Sequence, residues 1–358
     1  MTSESSAAAD NPSAGTATDP SPDGSSSRPP VAVDAMGGDH GPGILVEGAR
    51  RAAEVHGTPV LLVGDPDRLG DVGDLPISPA SEVVDMGADP AKAVRRLKDS
   101  SIVRAAEAVR DGRASSVMSA GNTGAAMAAS LLRMGRIKGV ARPAIAVPFP
   151  VLGSTPSTLL DCGANADCQP EWLVQFARMG TAYARQRFDL AHPRVGILTI
   201  GEEAGKGNTM VKAACELLED GGWATECGAD YVGNVEGGDL MRGVADVIVC
   251  DGFTGNVALK SLEGGFDLFK SSVREALGST PALVEVSAEI DEVIDPLFQI
   301  FNAGNTGAAM LLGTRGVTMI AHGSSSAITI ANAIKTADQM AGIGIVDSLR
   351  AAVGNPAE

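Results

Sequence analysis

Aromatic side chains are scarce in this chain: they make up 3% of its 358 residues. A partner that stacks exposed bases would find few platforms. Basic residues are outnumbered as well, 28 Lys and Arg against 44 Asp and Glu, for a formal charge of −16. Phosphate-backbone recognition needs clustered cations, so nucleic acid is excluded as the main partner. Only four histidines occur, and they are scattered, which leaves no metal cluster to assemble. Five cysteines (162, 168, 215, 227, 250) show no repeated CxxC spacing. The expectation is reduced thiols in a cytoplasmic protein, not a disulfide or zinc framework. No apolar run approaches the roughly 20 residues that a membrane span needs.

What the chain has in quantity is glycine, 44 residues, within a composition that is 44% hydrophobic. That is ample for a sizeable core. Residues 1–30 are Ser, Ala, Pro, Asp and Gly without apolar periodicity, and they lack the basic start and apolar stretch of a signal peptide. They read as a disordered tail ahead of an α/β domain spanning residues 31–350.

From Val31 onward, short apolar runs alternate with helical patterns. "VAVD" (31–34), "VLLVG" (60–64), "SSVMS" (115–119), "AIAVP" (144–148), "TLLD" (158–161), "VGILTI" (195–200), "DVIVC" (246–250) and "VTMIA" (317–321) read as strands. Most are continuous apolar runs, as buried parallel strands are. The alternation predicts an α/β fold with a mostly parallel sheet and flanking helices.

Six of these runs lead into Gly-rich or Ser-rich loops: "DAMGGDHGP", "AGNTG", "DCGAN", "GEEAGKGN", "DGFTGN" and "HGSSS". Ligands of open α/β sheets bind outside the carboxyl ends of strands, and helix starts there favour anions. An anionic ligand is the expectation. No G-x-G-x-x-G opens a helix, "GEEAGKGN" lacks the spacing and Ser/Thr of a Walker A loop, and no G-x-S-x-G occurs. A reaction without a protein nucleophile fits better than a hydrolase triad.

One octapeptide, "AGNTGAAM", occurs twice, at Ala120–Met127 and Ala303–Met310. The first copy follows a strand and opens a helical pattern. No strand precedes the second, and its flanks differ, so it reads as a local echo rather than a duplicated domain.

"VAVDAMGGDHGP", "SAGNTGAAM", "GRIKGVARPAIA", "LLDCGANADC", "GEE…KGN", "GNVEGGDL", "ADVIVCDGFTGNVALKSLEG" and "AHGSSS" together resemble the phosphate acyltransferase family, in order from about Val31 to Ile334. The resemblance implies a fold like isocitrate and isopropylmalate dehydrogenases, with a helical projection at about 262–302. It implies transfer of a fatty acyl group from acyl carrier protein to inorganic phosphate, giving acyl phosphate for phospholipid synthesis. It also implies a homodimer, no cofactor, and a cytoplasmic protein that touches the membrane only peripherally. In the projection there is no Lys or Arg between Arg274 and Arg315, so attraction to anionic lipid is not expected there.

Phosphate is anionic at neutral pH and can attack a thioester directly. The protein must orient it and stabilise the oxyanion that forms. Lys206, Asn256, Lys260 and His322 are the candidate catalytic residues. Asp34, Gly37, Gly38, Asp39, Asn122, Thr123, Gly124, Asn165, Asn234, Asp251, Thr254 and Gly255 are candidates for the phosphate site or its supporting loops. Asn122, Lys206 and Asn256, from three loops, are expected to converge on one pocket. The chain departs from the family at two places: Thr306–Gly307–Ala308, within the Thr306–Gly313 loop, stand where it usually has Tyr-Gly-Gly, and Ile320 where it usually has Lys. No Asp or Glu occurs from Gly112 to Leu160, so Arg133, Arg136, Lys138 and Arg142 are the candidate docking residues for the acidic carrier protein. Exchange with acyl-CoA, as in phosphate acetyltransferases, is the alternative reading. A dehydrogenase would need an Asp cluster and a nucleotide site that cannot be assembled, and a non-catalytic acyl-binding protein is the third reading.

Overall fold

The computed structural model describes residues 28–279 and 308–354, with Ile290, Glu292 and Ile294 between them. The expected tail therefore lies outside the described residues except for Arg28–Pro30, as do Thr306, Gly307 and most of the projection past Ser279. The first half of the chain forms β1 (Val31–Asp34), α1 (Pro42–His56), β2 (Val60–Gly64), α2 (Pro66–Leu69), β3 (Ile77–Pro79), α3 (Pro90–Arg96), α4 (Ser101–Arg110), β4 (Ser116–Ser119) and α5 (Thr123–Ala129). A π-helical turn (Ser130–Met134) extends α5, and β5 (Ala144–Phe149) and β6 (Ser157–Leu160) follow. Then come α6 (Pro170–Phe188), β7 (Arg194–Thr199), α7 (Thr209–Glu219), α8 (Gly222–Cys227), β8 (Asp230–Glu236), β9 (Val247–Val249) and the 28-residue α9 (Gly252–Ser279). The chain closes with β10 (Ala309–Leu312), β11 (Val317–Ile320), α10 (Ala327–Gly342) and α11 (Ile345–Val353).

All eight strands expected from apolar runs are present. Three others escaped that reading. β8 is exposed or half-buried along "DYVGNVE" except at Val235, because it is an edge strand. β3 is a three-residue edge strand that ends in Pro. β10 emerges from the second copy of the octapeptide, where a loop was expected.

The eleven strands form one sheet, ordered β3-β2-β1-β4-β11-β10-β5-β6-β9-β7-β8. The pairs within β3 to β11 and within β6 to β8 are parallel. Between those blocks, β11–β10, β10–β5 and β5–β6 are antiparallel. Three successive reversals leave the two parallel blocks running in opposite directions. Carboxyl ends therefore open at one edge for β1, β4 and β11, and at the other for β6, β7 and β9. The six loops are split three and three.

Strand side chains alternate between two apolar cores, one on each face. Val33, Met118, Phe176, Tyr183 and Ile330 fill the side covered by α1, α6 and α10. Val117, Ile145, Ile248, Leu311 and Ile320 fill the side covered by α4, α5 and α9. The candidate site lies on this second face, over the antiparallel seam.

Candidate active site

One cavity of about 140 Å³ draws together Thr123 after β4, Asn256 and Lys260 on α9, and His322 after β11. Ile145, Val147, Ala309 and Ile320 on the seam strands also line it, with Cys162, Leu259 and Glu263. Residues 256, 259, 260 and 263 recur at helical spacing, so a single face of α9 supplies that wall. α9 starts at the edge where β9 ends and lies over the seam, which brings its first turns toward loops from the opposite edge.

Four asparagines were candidates, and their amides have different uses. Asn122 caps α5, accepting from the Ala125 N–H at 2.9 Å, and its amide donates to the Met86 carbonyl at 2.7 Å. Asn165 donates to the Pro143 carbonyl and to Asp161, both at 2.8 Å. Asn234 donates to the Glu203 carbonyl at 2.9 Å and braces the loop that carries Lys206. Each of the three staples backbone. Among the described residues the Asn256 amide has no such partner, and it faces the cavity.

The expected convergence of Asn122, Lys206 and Asn256 is not observed. Lys206 is half-exposed and its Nζ lies 3.7 Å from Glu203. Its loop follows β7, two strands from β6 and at the edge opposite Asn122. The cavity is lined by Asn256 but by neither Asn122 nor Lys206. Lys260 by contrast is at the cavity, its Nζ 2.7 Å from Glu263.

The remaining loop residues build the frame. Asp34 is buried and accepts from the Ser119 hydroxyl at 2.7 Å, and that hydroxyl accepts from the Gly121 N–H at 3.1 Å. Burial raises the Asp34 carboxyl above its usual range, and hydrogen bonding to Ser119 works against that shift. Gly37 approaches the Gly121 backbone so closely that a Cβ would stand 2.8 Å from its nitrogen, so the first two loops interlock only without side chains. Gly38 is left-handed, and Asp39 ties to the third loop through its N–H to the Gly323 carbonyl at 2.9 Å. Gly124 packs against Pro90 at the start of α3.

At the other edge, Asp161 is the buried hub that the sequence reading missed. Its carboxylate accepts from the N–H groups of Ile145, Ala164 and Asn165 at 2.9, 3.0 and 2.7 Å. Burial raises its carboxyl too, with those N–H groups opposing. Gly255 lies against the Asp161 carbonyl, where any Cβ would collide. Asp251 caps α9 through the N–H and hydroxyl of Thr254 at 2.8 and 2.7 Å. The signal for Asp161 was present as the Asp of "LLDCGAN", directly after a strand.

Two further details bear on chemistry. The Ser324 N–H lies 3.2 Å from His322 Nδ1, and a backbone N–H can only donate. Nδ1 is therefore the acceptor, and the neutral ring carries its proton on Nε2. Cys162 lines the cavity, but burial pushes its thiol well above the usual value, so it does not supply a thiolate nucleophile.

The basic segment sits apart from the cavity. Arg136, Lys138 and Arg142 are exposed, together with Arg315. Arg315 Nε donates to the Arg136 carbonyl at 3.0 Å, Arg136 reaches the Ala141 carbonyl, and Arg142 lies over Trp172 at 5.0 Å from its ring. Arg133 is turned inward, 3.6 Å from Glu107. No helix among the described residues is long and apolar enough to cross a membrane.

Comparison with known proteins gives three consistent findings. A family model described as "Fatty acid synthesis protein" matches residues 30–347. A phosphate acyltransferase from Desulfitobacterium hafniense (strain Y51) is 42% identical over 328 residues, covering 89% of this chain and 96% of its own. Among solved structures, a branched-chain phosphotransacylase from Enterococcus faecalis V583 overlays with a TM-score of 0.57 at 16% identity, covering 87% of this chain and 99% of its own. A likeness at that identity speaks for the α/β fold alone.

Proposed function

The chain belongs to the fatty acid synthesis protein family of phosphate acyltransferases, and from that premise we propose that it transfers a fatty acyl group from an acyl carrier protein thioester to inorganic phosphate. The observation that supports the reading best is the cavity around Asn256, the one candidate asparagine whose amide is not engaged by backbone among the described residues. Phosphate is drawn in by the Lys260 ammonium and held beside Thr123. One phosphate oxygen attacks the thioester carbonyl carbon, and charge collects on the carbonyl oxygen. The Asn256 amide donates to that oxyanion, a preorganised contact of the kind that most accelerates acyl transfer. The C–S bond then breaks as the C–O bond is kept. The departing thiolate takes its proton from His322 Nε2 or from water. Acyl phosphate is the product, for use in phospholipid synthesis.

The docking surface for the acidic carrier protein is the patch of Arg136, Lys138, Arg142 and Arg315. The protein works as a homodimer in the cytoplasm, with at most weak contact to the membrane. Exchange with acyl-CoA is the competing reading, favoured by the fold shared with phosphotransacylases. The deciding assay incubates the enzyme and phosphate with matched acyl thioesters of acyl carrier protein and of coenzyme A. Faster acyl phosphate formation from the carrier protein supports the first reading, and a preference for coenzyme A supports the second.

A further inference from the structure

We propose that the seam of the sheet forms an alkyl slot for the first few carbons of the acyl chain, and that Ala309 sets how much chain it admits. This rests on the acyl-transfer reading and adds the residue that governs chain selection.

The argument starts from register. Ala309 pairs with Ile320 on one side. On the other side Met310 pairs with Ala146, which sets Ala309 opposite Val147. Ile320, Ala309 and Val147 thus form one row across three neighbouring strands, all directed into the same core face. The row is large, small, large. Two residues further along the same strands lie Leu311 and Ile145, paired with each other, which close the notch at its inner end. Ile320, Val147, Ile145 and Leu311 are buried, whereas Ala309 is only partly covered. Ala309 on the sheet and Leu259 on α9 both line the cavity.

The same cavity is lined by the polar residues Thr123, Asn256, Lys260, His322, Glu263, Ser325 and Thr329. A carbonyl at Asn256 would lead its alkyl chain onto Ala309. The volume, about 140 Å³, matches the roughly 150 Å³ of a dry apolar cavity that takes up benzene, a six-carbon ligand. Because phosphate and the thioester carbonyl share that volume, the slot fits about three carbons. Selection should be steep over those carbons and flat beyond them, because later methylenes lie outside. A leucine at 309 adds three carbons and fills the slot.

The test measures kcat/KM for acyl carrier protein thioesters from acetyl to palmitoyl, with inorganic phosphate, in the unaltered enzyme and in Ala309→Leu. Expected is a loss for hexanoyl and longer donors at least tenfold greater than the loss for acetyl, the discrimination that one to two methylenes give in an apolar pocket. Ala309→Val suits a strand and gives the same skew in milder form if the leucine variant does not fold. Ile320→Ala, which removes a wall, should shift relative use toward donors branched near the carboxyl end. An equal loss at all chain lengths, or no change of profile in either 309 variant, overturns the slot while leaving the acyl-transfer reading intact. Absence of acyl phosphate from every donor in the unaltered enzyme removes that reading, and the slot with it.

Discussion

The two copies of "AGNTGAAM" share eight residues and differ in conformation. In the first, Asn122 caps a helix, and Ala126 and Met127 lie within it. In the second, Ala308 has φ 41°, and Ala309 and Met310 enter a strand. Their partners decide. Met127 is followed by a helical run, "AASLLRMG", whereas Met310 is followed by "LLG", which pairs with Ala144 and Ile145. Local propensity is a weak prior that tertiary pairing overrides. Yet both copies reach the same cavity, the first with the Thr123 hydroxyl and the second with the methyls of Ala308 and Ala309. Further along, both lead to the same basic patch, one through Arg136 and the other through Arg315. One string thus supplies the polar side of a site and the other its apolar side.

The sharpest way to probe this division removes the group that neither copy contributes. Asn256→Ala should lower turnover by about 10²–10³-fold, the usual cost of one oxyanion donor, with little change in unfolding by urea. A turnover within a few-fold of the unaltered enzyme would leave the cavity without its central function.

The next effect is structural. Asn122→Ala removes a cap and leaves the Met86 carbonyl short of a donor, so it should cost about 1–2 kcal/mol. The midpoint of a urea titration reads this directly. An unchanged midpoint would show that the first copy holds its helix without the asparagine.

These two residues also mark how far the sequence could be read. Eight strands were legible because strands covered on both faces read as unbroken apolar runs. β8 and β10 were not, since an edge strand is half polar and a repeated string carries no record of its partners. That several asparagines mattered was visible too. Which one faced the cavity was not, because Asn122 is occupied by a carbonyl 36 residues away, brought close only by the fold. Lys206 illustrates the same limit: a cation in a Gly-rich loop after a strand looks like a site residue until the fold shows which loops the cavity gathers.

A smaller effect tests the electrostatics behind the first copy. The Asp34 carboxyl is raised above 3.8, so the folded state holds its proton more tightly than the unfolded chain does. Its contribution is present in full below that value and is lost as pH rises through the raised pKa. Asp34→Asn removes the titration. The variant should therefore gain on the unaltered protein in urea midpoints as the pH is raised above about 4. A difference independent of pH would contradict the shift.

The smallest effect concerns the patch where the two copies meet again. Arg136→Glu with Lys138→Glu should reduce kcat/KM for acyl carrier protein substrates a few-fold at low salt, and added salt should erase the difference. An equal effect on acyl-CoA substrates would point to damage rather than docking.

The long helix beside the cavity has a mechanical consequence. α9 rests on the sheet over its first turns, with Gly252 and Gly255 buried and Leu259 and Leu262 half-covered. Further out, Leu268 and Phe269 are 70% and 59% exposed. At 1.5 Å per residue, the 28-residue helix is about 42 Å long. It is a lever whose root carries Asn256 and Lys260. A few degrees of rotation at the root sweep the tip through about 2 Å, and a load on the tip acts on the root with the same leverage. Whatever grips the outer turns of α9 thereby applies torque to the wall of the cavity.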